Sequence, residues 1–232
     1  MKPQGMRKGV QFVHTLINTF QPGVVSGRLP LDRGGEMYAW AAWNRHGYDF
    51  TDTNNLSVAT FIHFGSFVVL FTGDLEKAGW RTLLNNPAVR AALPLVKVLV
   101  ASHHGRENGC SEEAFQYLRP EVVVFSDEAI KYQSQDTIDW YRERVTGIAN
   151  LDKPADPWLG RPKRRVLTTR RDGSMVVLAN TSGNFAIQAQ RDAGTHFLPP
   201  QRPIGLGYNP LLEGPMLRGA VGLGPLAQTR RT

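Results

Sequence analysis

Three apolar runs frame this chain: SFVVLFTGD at 66–74, VKVLVASHHG at 96–105 and EVVVFSDE at 121–128. Each is a near-continuous stretch of Val, Leu and Phe, too short for a core helix, and the segments between them space their apolar residues as helices do. Strands of that kind are buried on both faces, so the alternation predicts a sheet covered by helices, the α/β class. In such sheets ligands gather at the carboxyl ends of the strands. There the three runs carry Asp74, then His103 and His104, then Ser126 and Asp127.

The neighbouring segments supply the rest of the domain. LSVATFIHFG, 56–65, leads into the first run through Gly65-Ser66, a hairpin signal. Leu75 to Asn86 reads as a helix with Leu75, Ala78, Leu83 and Leu84 on its buried side. SEEAFQYLRP reads as a short helix with Ser111 as N-cap and Pro120 as stop. TIDWYRERV is a further helix, and RRVLTTRRDGSMVVLAN reads as a hairpin turning at Arg171-Asp172-Gly173. On this reading residues 1–50 form an irregular segment that adds little core, 51–190 form the domain, and 191–232 form a Pro/Gly-rich tail expected to be disordered.

Composition narrows the function classes. A chain of 232 residues, 41% hydrophobic, holds one core plus extensions. The single cysteine, Cys110, excludes an intramolecular disulfide and a zinc ribbon. No N-terminal apolar export core is visible, and no run approaches about 18 apolar residues, so a soluble, cytoplasmic protein without a membrane segment is expected. The net charge of +7 suits a polyanion. Six of the basic groups fall within RPKRRVLTTRR, 161–171, which makes Arg164, Arg165, Arg170 and Arg171 candidate nucleic-acid contacts, set against the plainer reading of a solvated basic strand edge.

Asp74 ends an apolar run, where an ionised carboxylate loses hydration and needs a compensating partner. The His103-His104 pair ends the next run, one helix later, and should share the same rim. Carboxylate oxygen and imidazole nitrogen are a ligand set for Zn²⁺, Mn²⁺ or Fe. Taken singly, Gly-Asp is an ordinary turn or cap and His-His an ordinary surface pair; taken together they point to a common metal ion.

Several motifs in order carry a resemblance: NNLSVATFIHFGSFVVLFTGDLE, VKVLVASHHGREN, RPEVVVFSDE, and AIKYQSQDTIDWYRERVTG with RRVLTTRRDGSMVV. Residues 50–180 resemble the C-terminal half of metallo-β-lactamase-fold hydrolases of the ComEC-like competence-protein type. That resemblance implies an αββα sandwich with one or two ions, Zn or Mn, at its rim. It implies Asp74 and His104 as metal ligands, His103 as a catalytic group facing an anionic substrate oxygen, and Asn54, Asn55 and Ser57 as the NN-x-S signature that shapes the chain locally.

The sequence also departs from the family. The principal motif, His-x-His-x-Asp-His, belongs upstream of Gly73-Asp74, and nothing in 1–55 has that spacing: His14 and His46 are isolated, and His63 falls inside a strand. One Asp and one or two His are fewer ligands than a catalytic zinc site uses. Three explanations stand: a chain truncated on its N-terminal side, which the retained Gly-Asp and His-His-Gly favour; a partner chain that completes the fold; or a degenerate relative. Two functions follow. The first is a metal-dependent hydrolase in which metal-activated water attacks a phosphodiester or other ester, including nucleic acid, with the site incomplete as given. The second is a non-catalytic module that uses its basic edge to hold nucleic acid or a partner protein. Half a sandwich would leave an open sheet edge and an apolar face, so pairing with another copy or with the missing half is expected.

Overall fold

The structure is a computed structural model that describes residues 27–44, 52–130, 133–150, 153, 155–191 and 221–223. The readings of VQFVHTLINTF, His14 and His46, and of disorder over most of the tail, lie outside those residues.

The strand-forming runs assemble one seven-stranded sheet. Its members are β1 (Leu29–Pro30), β2 (Met37–Trp43), β3 (Val58–Phe64), β4 (Phe67–Phe71), β5 (Val98–Val100), β6 (Val122–Phe125) and β9 (Val166–Thr168), side by side in that order. The first four pair antiparallel, and β3 and β4 form the expected hairpin at Gly65-Ser66, with Phe64 opposite Phe67. From β4 onward every pair is parallel. The parallel strands therefore end along one edge, at Phe71, Val100, Phe125 and Thr168.

Alternation sorts the side chains onto two faces. On one, Phe61, Leu70, Leu99, Val123 and Phe125 pack under the helices α1 (Lys77–Leu83), α2 (Pro87–Ala92), α3 (Glu112–Phe115) and α4 (Ile138–Arg142), which contribute Trp80, Leu83, Val89, Ala114 and Tyr141. Ser111 caps α3 as the sequence predicts, accepting the Ala114 N–H. On the other face, Phe67, Val69, Val98, Val122, Val124 and Leu167 meet Met175, Val177, Ile187 and Ala189. These last belong to a second sheet, ordered β11 (Phe185–Ala189), β10 (Met175–Ala179), β12 (Val221–Leu223). A small ladder, β7 (Ile148–Ala149) with β8 (Lys163–Arg164), stands apart. The architecture is α/β, with helices, a large sheet and a small sheet in layers. Among the described residues no helix packs in either core from the outer side of the small sheet, and none is long and apolar enough to cross a membrane.

Three details differ from the sequence reading. Residues 37–43 form a full strand of the large sheet, and Trp40 and Ala42 are buried in the core, although Gly and Pro crowd the segment before them. The segment 164–180 is not a hairpin: β9 joins the large sheet beside β6, the single-turn helix α5 (Thr169–Asp172) follows, and β10 enters the other sheet. Gly173, at φ +77, lets the chain leave that helix toward the second layer. Finally, Val221–Leu223 extends the second sheet despite the Pro/Gly content around it.

Candidate metal centre

The loop after β4 is shaped by the Asn-Asn-x-Ser segment. Asn55, buried, accepts the backbone N–H of Glu76 at 3.1 Å and of Gly79 at 2.7 Å, which satisfies donors at the start of α1. A Cβ at Gly79 would lie 2.4 Å from Asn55 Oδ1, so the glycine is required by this approach. Ser57 Oγ accepts the Asp74 N–H at 2.9 Å. Asp74 is thereby held at the rim with its side chain 43% exposed.

The loop after β5 is held differently. His103 (φ 49°) and His104 (φ 56°) both adopt left-handed backbone, the only non-glycine residues among those described to do so. The conformation costs an L-residue about 1–2 kcal/mol, and such outliers cluster at functional sites. His103 N–H donates to Gly73 O at 2.9 Å, tying the two loops together, and Gly105 continues the left-handed run at φ +80. Thr137 Oγ1 donates to Gly105 O from the other side.

The result brings Asp74 Oδ1 and His104 Nε2 to 3.3 Å. His104 Nδ1 lies 2.5 Å from the carbonyl oxygen of Ser126, at the end of β6. A carbonyl only accepts, so Nδ1 carries the hydrogen, and in the neutral ring Nε2 presents a lone pair. That lone pair faces a carboxylate oxygen, which is also an acceptor. Either a proton or a metal cation must stand between them. Two donors bound to one zinc at about 2.0–2.1 Å in tetrahedral geometry are separated by about 3.3 Å, so the pair fits two positions of such a site. A ligating histidine whose other nitrogen donates to a backbone carbonyl is the usual supporting arrangement.

His103 occupies a different environment. It is buried, with Nδ1 3.2 Å from Glu76 Oε1, but without the alignment of a hydrogen bond, so that nitrogen has no hydrogen-bond partner. Its Nε2 lies 3.4 Å from Arg106 Nη1. Glu76 Oε1 also accepts from Asn54 Nδ2 and Asn108 Nδ2. A cleft of about 530 Å³, bordered by Glu76, Lys77, Arg81, Arg106 and Asn108, opens beside this group. The neighbouring Asp127 pairs with Arg170 at 2.8 Å, and burial pushes its carboxyl above the ordinary range against the pull of that guanidinium.

The structure thus gathers Asp74, His103 and His104 at one rim and adds Glu76, which the sequence reading passed over. Its signal was available: Glu76 stands two residues beyond Asp74 in the same Gly-Asp-Leu-Glu loop. Among the described residues no group of three or more His, Cys, Asp or Glu side chains is placed to hold a metal. Three of the four candidate arginines, Arg164, Arg165 and Arg171, border one cleft of about 460 Å³ together with Arg142 and Lys163. Arg164 and Arg165 precede β9, at the opposite end of the sheet from the rim, whereas Arg170 follows β9 and faces Asp127. Arg164 and Arg171 both pair with Asp172.

No family model matches the chain. The chain is similar to ComE operon protein 3 of Bacillus subtilis (strain 168), with 32% identity over 80 residues, which is 34% of this chain and 10% of that protein. The matched portion is thus a small fraction of the relative's length.

Proposed function

We propose that this chain carries part of the metal site of a metal-dependent hydrolase of the metallo-β-lactamase type, with Zn or Mn held by Asp74 and His104 and the remaining ligands supplied from outside the described residues. The observation that carries the proposal is the Asp74 Oδ1–His104 Nε2 approach at 3.3 Å, a separation that a proton or a shared cation must bridge and that two zinc ligands would show. The partial likeness to a competence-operon protein is in keeping with it. A bound divalent ion supplies Lewis acidity, lowering the pKa of water and offsetting charge on a phosphoryl or acyl oxygen.

The chain's own residues do the positioning. Ser126 O fixes the His104 tautomer, Ser57 Oγ sets the Asp74 backbone, and the left-handed turn at 103–105 aims the imidazole at the carboxylate. His103 Nδ1 and Glu76 form a second pair beside the cleft, suited to holding or passing a proton next to an anionic substrate. Phosphodiesters, nucleic acid among them, are the substrate class in keeping with the net charge of +7.

Calorimetric titration with Zn²⁺ and Mn²⁺ tests the reading. The chain should bind one of them, and Asp74→Asn and His104→Gln should each weaken binding at least about tenfold with the fold intact by circular dichroism. Absent binding, or binding indifferent to both substitutions, would favour the non-catalytic module.

A further inference from the structure

Between β7 and β8 the chain makes an excursion whose described residues from 153 to 162 are all exposed. Its tip is nonetheless well defined. Asp156 and Gly160 exchange both backbone hydrogen bonds at 2.9 Å, and Asp156 Oδ1 accepts the N–H groups of Trp158 and Leu159, each at 2.8 Å. The turn is therefore closed on itself, and it spends its only carboxylate on its own backbone. It presents Trp158 at 93% exposure and Leu159 at 88%, while no other large apolar side chain among the described residues exceeds 63%. Single exposed apolar residues are ordinary. Two adjacent large ones at the apex of an internally hydrogen-bonded turn form an apolar point held in water. The sequence from 155 to 165 is predominantly basic, with Arg161, Lys163, Arg164 and Arg165 beside the one acid Asp156; Arg164 is paired with Asp172, while Lys163 and Arg165 are exposed.

We propose that the Asp156–Gly160 turn is a membrane-interface anchor, which inserts Trp158 and Leu159 among the headgroups of an anionic lipid surface while Arg161, Lys163 and Arg165 meet lipid phosphates. Indole rings favour the headgroup layer, aliphatic chains the acyl boundary beneath it, and basic residues the negative surface potential. The tip carries all three. Nucleic acid fits less well, because Leu159 offers bases no stacking face, and stacking is what an exposed aromatic contributes there. A stable protein partner would need about 800 Å² from this side, more than two side chains present. Weak, reversible adsorption needs only such a tip with several cations.

Co-sedimentation of the full chain with phosphatidylcholine vesicles containing about 30% phosphatidylserine tests the proposal, against vesicles of phosphatidylcholine alone and a single-stranded oligonucleotide of about 20 bases. The expected result is binding to the anionic vesicles, weakened at least about tenfold by Trp158→Ser with Leu159→Ser and about fivefold by Lys163→Ala. Both tip residues lie outside the cores, so an unchanged melting curve accompanies that loss. Failure to bind anionic vesicles, or binding that the double variant leaves intact, overturns the proposal. So does a variant that loses the oligonucleotide but never bound vesicles, or one whose only change is a smaller sedimenting mass; those results assign the tip to nucleic acid or to self-association.

Discussion

Two charged regions of this molecule, one flanking β9 and the other at the loops after β4 and β5, solve the same electrostatic problem in opposite ways. At 163–172 the charges close on one another: Asp172, buried, takes the Thr168 N–H at 2.7 Å, Arg164 at 3.2 Å and Arg171 at 3.3 Å, and Arg170 pairs with Asp127. At 73–106 they do not. Asp74 Oδ1 and His104 Nε2 stand 3.3 Å apart with a proton or a cation required between them, His103 Nδ1 is buried without a hydrogen-bond partner, and two histidines hold left-handed backbone. A closed set of charges is accounted for by folding alone. An open set on a strained loop is the mark of a site that awaits a ligand.

The comparison breaks most visibly at Asp172. Asp172→Ala leaves the largely buried Arg164 without its carboxylate and the Thr168 N–H without its acceptor, and should cost about 3–5 kcal/mol in urea unfolding. A loss under about 1 kcal/mol would mean that the closed set is an ordinary surface network. Next comes Gly105→Ala. The added Cβ would fall 2.2 Å from the Phe125 ring at a backbone φ of +80, and a loss of about 2–3 kcal/mol is expected together with weaker metal binding, because the turn that aims His104 must shift.

His104 separates strain from function. Both His104→Gly and His104→Ala delete the imidazole, but only glycine is at ease at φ 56, so the glycine variant should be the more stable by about 1 kcal/mol, with neither binding metal. Equal stabilities would show that the loop relaxes once the ring is gone and that the strain belongs to the side chain's contacts.

The smallest effect concerns a closed polar pair that carries no ion. His63, buried in β3, accepts the Trp40 indole N–H at 2.9 Å, and burial, with Arg28 nearby, lowers its pKa from the ordinary value. A histidine depressed in the folded state contributes stability that is complete above its unfolded value, about 6.5, and is lost as pH falls through the folded one. Wild type should therefore lose more stability between pH 7.5 and 5 than His63→Gln; identical slopes would contradict the assignment.

Much of this was readable beforehand, for reasons specific to the residues. The β3–β4 hairpin, the parallel strands that lead into the loops of Asp74, His103 and Asp127, and the Ser111 cap follow from short-range patterns: period, turn chemistry and side-chain capping. Strand β2 was missed because the Gly and Pro at 22–35 mask seven residues whose pairing with β3 is decided by tertiary partners. The 164–180 segment was misread because Arg-Asp-Gly serves equally for a hairpin turn and for a chain that changes layers, and only packing against Val69 and Val124 selects the second. At the site, Asp74 and His104 were visible as types at strand ends. The role of Glu76 and the left-handed histidines was not, since both depend on how Asn55 and Gly73 draw two loops together.

The central claim is that Asp74 and His104 share one divalent cation. A zinc-edge anomalous difference map from crystals grown with Zn²⁺ tests it most directly. The account predicts a peak between Asp74 Oδ1 and His104 Nε2, about 2 Å from each. A zinc peak that avoids this rim, or none at all while the two atoms keep a hydrogen-bonded separation, would contradict it.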